Sequence, residues 1–102
     1  MDLESQTKSQ KFIDLSFQII QQIKKHKEGS GKYPIETLIA YVKKLIDSIN
    51  NGKFADIKGN TTPYKIGNKD VKGSDYEGLS DQMSPNNMEQ HLKQQLQELE
   101  KL

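Results

Sequence analysis

"PIETLIAYVKKLIDSIN", Pro34 to Asn50, decides the fold. Ile35, Leu38, Val42, Leu45 and Ile49 alternate three and four residues apart, and Ile39 and Ile46 widen the stripe. At 3.6 residues per turn, that spacing gathers the apolar side chains on one helical face. Pro34 suits the first turn, where its missing amide proton is not needed. "NNG" at Asn50 to Gly52 ends the pattern.

Towards the N-terminus, a longer helix is predicted over Gln6 to Glu28. Phe12, Ile13, Leu15, Phe17, Ile19, Ile20 and Ile23 cover a broad face rather than a narrow coiled-coil seam. Ser5 or Thr7 is the expected cap. Lys24, Lys25, His26 and Lys27 lie where positive charge favours the negative end of the helix dipole, and Gly29 is the expected stop. The connection "GSGKYP" is short, which predicts an antiparallel helical hairpin.

Towards the C-terminus the pattern changes. Phe54 and Ile57 are expected to fold back onto the helices. Residues 53–73 form a loop or β-hairpin insertion, because "YKIGNKDVKG" (Tyr64 to Gly73) sets Tyr64, Ile66 and Val71 around the turn formers Gly67, Asn68 and Asp70. "SDYE" at Ser74 to Glu77 has the form of a capping box, with Tyr76, Leu79 and Met83 sharing one face of a short helix. Ser84-Pro85 is a stronger start, a hydroxyl cap followed by proline at the first helical position. It opens a C-terminal helix over 84–100 with a seam of Met88, Leu92, Leu96 and Leu99. The expected architecture is mainly α. An antiparallel helical hairpin and a C-terminal helix enclose a small β-hairpin or loop, in one domain over 1–102 with residues 1–6 flexible.

The chain has 102 residues, 32% of them hydrophobic, and a mean hydropathy of -0.85. Small domains remove relatively little surface from water, so so thin a core suggests help from a second copy or a larger protein. All fifteen basic residues are Lys, with no Arg. Lys8 to Lys72 carries thirteen Lys against six acids, whereas Gly73 to Leu102 carries two against six. Such asymmetry can steer association.

There is no cysteine, which removes disulfides, thiolate nucleophiles and cysteine metal sites from consideration and fits a cytoplasmic setting. No run approaches the roughly 18 apolar residues of a membrane span. "MDLESQTKSQ" is polar and acidic, unlike a secretory leader.

No residue set points to catalysis. His26 sits among lysines, which disfavour a bound cation, and His91 lies beside the C-terminal seam. Packing is the expectation for both. Asp70, Asp75, Glu77 and Asp81 lie near one loop but lack the spacing of a calcium-binding EF-hand; capping and solubility account for them. "GNTTPYKIG" lacks the Walker phosphate-loop spacing. Neither a cofactor nor a small-molecule substrate is implied, and the expectation is a protein that is not an enzyme.

Two functional classes remain. The first is a non-enzymatic protein-interaction or assembly factor, a homodimer or the partner of a larger protein. Phe12, Phe17, Ile20, Leu92, Leu96 and Leu99 are its candidate contact residues, and the same residues would serve equally to complete a monomeric core. The Lys-, Asn- and Ile-rich, Arg-free composition suits a small regulator or inhibitor from an AT-rich bacterial or mobile-element gene. The alternative is a nucleic-acid-associated regulator whose Lys24, Lys25, Lys27, Lys43, Lys44, Lys65 and Lys69 neutralise phosphates without reading bases. Without Arg it lacks the commonest bidentate base contact.

Overall fold

The computed structural model describes residues 3–50 and 57–102, with side chains from residue 8 onward. Phe54, Asn51 and Gly52 lie outside the described residues, as do residues 1–2 of the stretch expected to be flexible. The chain is mainly helical, with three helices and a small two-stranded antiparallel sheet between them. Helix α1 spans Leu3–Lys27 and α2 spans Ile35–Asn50. Strands β1 (Tyr64–Lys65) and β2 (Gln82–Met83) follow, and α3 spans Pro85–Glu100.

The helix ends follow local chemistry. Beyond α1, Gly29 takes a φ of 81° and its N–H donates to the His26 carbonyl, while the Ser30 N–H reaches the Lys25 carbonyl. These two bonds make a Schellman stop, which favours glycine because the left-handed region carries a Cβ penalty. The α1 start at Leu3 is upstream of the expected Gln6 and places Ser5 and Thr7 inside the helix. Ser84 caps α3 by accepting from the Asn87 N–H at 3.1 Å, with Pro85 at the first helical position.

Helices α1 and α2 run antiparallel. Lys11 and Leu15 share a surface depression with Lys44, Leu45 and Ser48, whereas Gln22 shares one with Tyr33 and Leu38. Each helix also packs on α3. The core takes Phe12, Ile13, Phe17, Ile20 and Ile23 from α1, Leu38, Val42, Leu45, Ile46 and Ile49 from α2, and Met88, Leu92 and Leu99 from α3. The intervening segment adds Ile57, Ile66, Leu79 and Met83. Each such side chain contributes about 1.5–3 kcal/mol when fully buried. The radius of gyration, 13.3 Å, is close to the ~13 Å of a compact chain this long. Buried Ser16 and Ser48 satisfy their hydroxyls on the carbonyls of Phe12 and Lys44, at 2.7 and 2.8 Å.

The middle segment departs from the expectation in its pairing. Tyr64 and Lys65 pair not with Val71 and Lys72 but with Met83 and Gln82. The Ile66 N–H extends that ladder to the Asp81 carbonyl, and only then does Gly67 bridge Lys72. The turn itself is built by Asn68, whose Oδ1 accepts from the N–H groups of Asp70 and Val71 while its own N–H donates to the Val71 carbonyl. Such a side-chain turn closes too tightly to support a long ladder, so the strand finds its partner further along.

The short helix expected after Ser74 is replaced by a 3-10 turn at Gly73–Asp75. Asp75, not Glu77, accepts from the Lys72 N–H, and the Ser74 N–H is taken by Asp81 at 3.0 Å. Leu79 and Met83 still reach the core, but from a loop and from β2 rather than from one helical face.

Gly73 is buried, and a Cβ there would run into the carbonyl oxygen of Ser80. Gly73→Ala should therefore destabilise the fold by about 1–3 kcal/mol, the usual cost of overpacking. Ser84→Ala should cost about 1 kcal/mol through the lost cap. Urea denaturation of the two variants beside the parent checks both values.

Candidate interaction surface

The six expected contact residues separate by depth. Phe12, Phe17, Ile20, Leu92 and Leu99 are buried inside the chain, and Leu96 is half-buried against the same core. They form interhelical surface within one molecule. Phe17 joins two parts of the fold: its ring meets Tyr76 edge-on at 5.1 Å and lies where a Cβ on Gly67 would come within 3.1 Å.

Apart from the C-terminal Leu102, the large exposed apolar groups among the described residues, Tyr33 and Tyr41, lie on the other side of the helical hairpin. Leu15 and Ile19 on α1 are half-buried, and Tyr41 on α2 is 42% exposed. Together they form the shared floor of two adjoining depressions of about 360 and 300 Å³. Tyr33, 39% exposed, stands at one end and meets Tyr41 edge-to-face at 5.9 Å. Gln18, Gln21 and Gln22 line that end, while Lys11 and Lys44 line the other. The Gln22 Oε1 is buried without a hydrogen-bond partner. The result is a groove between two antiparallel helices, apolar along its floor and polar at its rim. Tyr41 escapes a reading based on the core stripe because it lies beside that stripe. A tyrosine flanking an apolar helical face is the signal that marks it, since tyrosine suits surfaces half apolar and half wet.

The seven lysines of the alternative do not form one patch. Lys24 sits 4.6 Å from the Tyr76 ring centroid and donates to the Asp75 carbonyl at 3.4 Å. Lys27 pairs with Glu98 at 3.2 Å and Lys43 with Glu100 at 3.9 Å. Lys25 is exposed on the last turn of α1, and Lys44 belongs to the groove. Lys65 and Lys69, joined by Lys72, surround a separate concavity of about 630 Å³ with Asn68, Ser80, Asp81 and Gln82. The Ser74 N–H holds the Asp81 carboxyl below its ordinary value, with the Lys72 charge assisting. That carboxylate adds a negative charge to an otherwise basic rim.

His26 is half-buried near the end of α1, and His91 is buried on α3. Asp75 and Asp81 spend their oxygens on backbone N–H groups. Among the described residues no three metal-ligating side chains converge, and no described helix is long and apolar enough to cross a membrane. No family model, curated protein or solved structure matches this chain.

Core and groove residues should respond differently to truncation. Phe17→Ala should cost about 3–5 kcal/mol, as large-to-small changes in a core do. Tyr41→Ala should cost no more than about 1.5 kcal/mol, the loss of one exposed edge-to-face pair. Chemical denaturation with matched slopes separates the two.

Proposed function

We propose that this chain is a non-enzymatic protein-interaction or assembly factor that binds a second copy or a larger protein through the α1–α2 groove. The carrying observation is the groove itself: Leu15, Ile19 and Tyr41 leave a continuous apolar floor that the chain's own third helix does not cover. Tyrosines supply large, stiff contact area and are enriched where binding energy concentrates. The buried seam residues hold the two groove-forming helices in place, so Phe12, Phe17, Ile20, Leu92, Leu96 and Leu99 act through the shape of the surface. A C₂ homodimer is the simplest assembly, because one self-complementary patch suffices. A small cytoplasmic regulator or inhibitor from a bacterial or mobile-element gene fits the cysteine-free, arginine-free composition.

The lysine-rimmed concavity favours a second reading, a nucleic-acid-associated regulator. Lys65, Lys69 and Lys72 meet around one hollow, and lysines at such a surface neutralise phosphates irrespective of sequence. The first reading ranks higher because Lys24, Lys27 and Lys43 are engaged within the chain.

Size-exclusion chromatography with light scattering should give a concentration-dependent dimer, or a defined complex with a captured protein. Tyr33→Ser and Tyr41→Ser should each weaken that association by about tenfold or more, with folding retained. A strictly monomeric chain that retains no protein counts against the groove. For the second reading, duplex DNA binding is measured at two salt concentrations. Replacing Lys65, Lys69 and Lys72 by Gln should flatten the slope of log K against log salt by about 2.7. Absence of binding at low salt removes that reading.

A further inference from the structure

His91 is a buried titratable group for which neither reading has a use. It projects from α3 with only 7% of its surface exposed, and its Nε2 is buried without a hydrogen-bond partner. Gly78 abuts the Cε1–Nδ1 edge of the ring. A Cβ added there would stand 2.9 Å from Cε1 and 3.4 Å from Nδ1. Gly78 has a φ of 85°, a left-handed conformation that lets the backbone come this close. The 73–81 loop therefore rests on the imidazole itself.

The ends of that loop are tied by the Ser74 N–H to the Asp81 carboxylate, the Ile66 N–H to the Asp81 carbonyl and the Lys24 amine to the Asp75 carbonyl, but around Gly78 the bonds are few. The Tyr76 N–H donates to the Gly73 carbonyl and the Leu79 N–H to the Tyr76 carbonyl. Buried Leu79 and the edge contact of Tyr76 with Phe17 supply its packing. The loop also borders two surface hollows away from the groove. Tyr76 and Glu77 line the one facing Lys24, Lys27 and Glu98, and Ser80 and Asp81 form a wall of the lysine-rimmed one.

We propose that His91 is a proton-operated latch: the neutral ring seats the 73–81 loop, and protonation releases it, opening the hollow under Tyr76 and Glu77 and shifting the Ser80–Asp81 wall. A protonated imidazole carries two N–H donors. Here Nε2 would hold one of them buried and unsatisfied, which a buried charge does not tolerate.

The surrounding charges do not reverse this. Desolvation is the dominant influence and pushes the His91 pKa below its ordinary value of 6.5. Glu98, further along α3, favours the proton, and Lys27 on α1 opposes it. Glu98 is itself paired with Lys27 and over half exposed, so its help is screened. Lys24 of α1 and Glu77 of the loop line the same hollow as that pair, and on the α2 side Lys43 is tied to Glu100.

The sign follows from linkage. The released state, with a solvated ring, binds the proton more readily than the seated state. Seating is therefore complete above about pH 6.5 and is lost as pH falls through the lower pKa of the seated state. Each unit of depression corresponds to a tenfold change in the latch equilibrium.

The test is proton-titration NMR and amide exchange on the full chain between pH 8 and pH 5. The His91 Cε1–H resonance should titrate below 6.5. The protection factors of the Tyr76 and Leu79 amides, corrected for the intrinsic pH dependence of exchange, should fall at least tenfold across the same transition while α3 amides keep theirs. His91→Leu should hold the loop protected throughout. Three results would each overturn the latch: titration of His91 at or above 6.5, loop protection that ignores its titration, or equal loss of protection in α3. The wild-type titration decides the matter even if the variant does not fold.

Discussion

The pairing of Tyr64–Lys65 with Met83–Gln82 is the constraint on which the arrangement of the chain depends. It joins the middle of the segment between α2 and α3 to its C-terminal end, so it sets where the last helix begins. Ser84 follows β2 directly and caps α3, and the Asn86 N–H then reaches back to the Asn60 carbonyl at 3.0 Å. Two residues of ladder cannot be stable alone in water. What holds them is the burial of their neighbours: Ile66, Leu79 and Met83 all reach the common core. From the other side, the Gln10 side-chain amide donates to the Lys65 carbonyl at 2.7 Å and ties β1 to α1. The small sheet is a clasp, kept closed by side chains that belong to the helical core.

Phe17 is where that clasp and the helical bundle meet. It lies against the backbone near Gly67 and stacks edge-on with Tyr76, while Lys24 covers the exposed side of the same tyrosine. Edge-to-face pairs contribute about 0.5–1.5 kcal/mol beyond simple burial. The 66–81 loop is thereby attached to α1 through one aromatic pair and a cation, and to α3 through the contact of Gly78 with His91. Its ends are well tied, by the Asn68 turn and by the Ile66 and Ser74 bonds to Asp81, but around Gly78 it has few backbone bonds of its own. Segments with few buried apolar contacts and few internal bonds open at lower free energy than the core they rest on. Two surface hollows border this loop, whereas the α1–α2 groove lies between rigid helices. Among the described residues the α1–α2 groove is thus a pre-formed apolar surface, and these two hollows depend on a less firmly held segment.

Much of the helical fold was legible because its signals are local. The three-and-four alternation of Ile35 to Ile49, the Gly29 stop and the Ser84-Pro85 start each need only neighbouring residues to act. The pairing of the middle segment was not legible for the same reason in reverse. Tyr64 and Ile66 have the same strand character whichever partner they choose, and Val71 is nearer in sequence than Met83. The choice falls to the Asn68 turn, which closes over Asp70 and Val71 too tightly, and to the core, which draws in Met83. The capping-box reading of Ser74 to Glu77 failed on a similar point: Asp81, seven residues away in the chain, takes the Ser74 N–H that Glu77 would have needed nearby.

The candidate surface divides along the same line. By itself the sequence determined the three helices, the α1 stop and the α3 start, the Arg-free charge pattern and which side chains are apolar enough to seek burial, because periodicity and capping act within a few residues. Only the tertiary structure decided which apolar groups the chain uses up. Phe12, Phe17, Ile20, Leu92 and Leu99 disappear between helices, while Leu15, Ile19, Tyr33 and Tyr41 are left lining a surface groove. It also decided that the edge of the His91 ring would lie against a glycine of a separate loop. The physical reason is that burial belongs to pairs of surfaces: a helical stripe states that it must be covered, and the path of the rest of the chain determines how far it is.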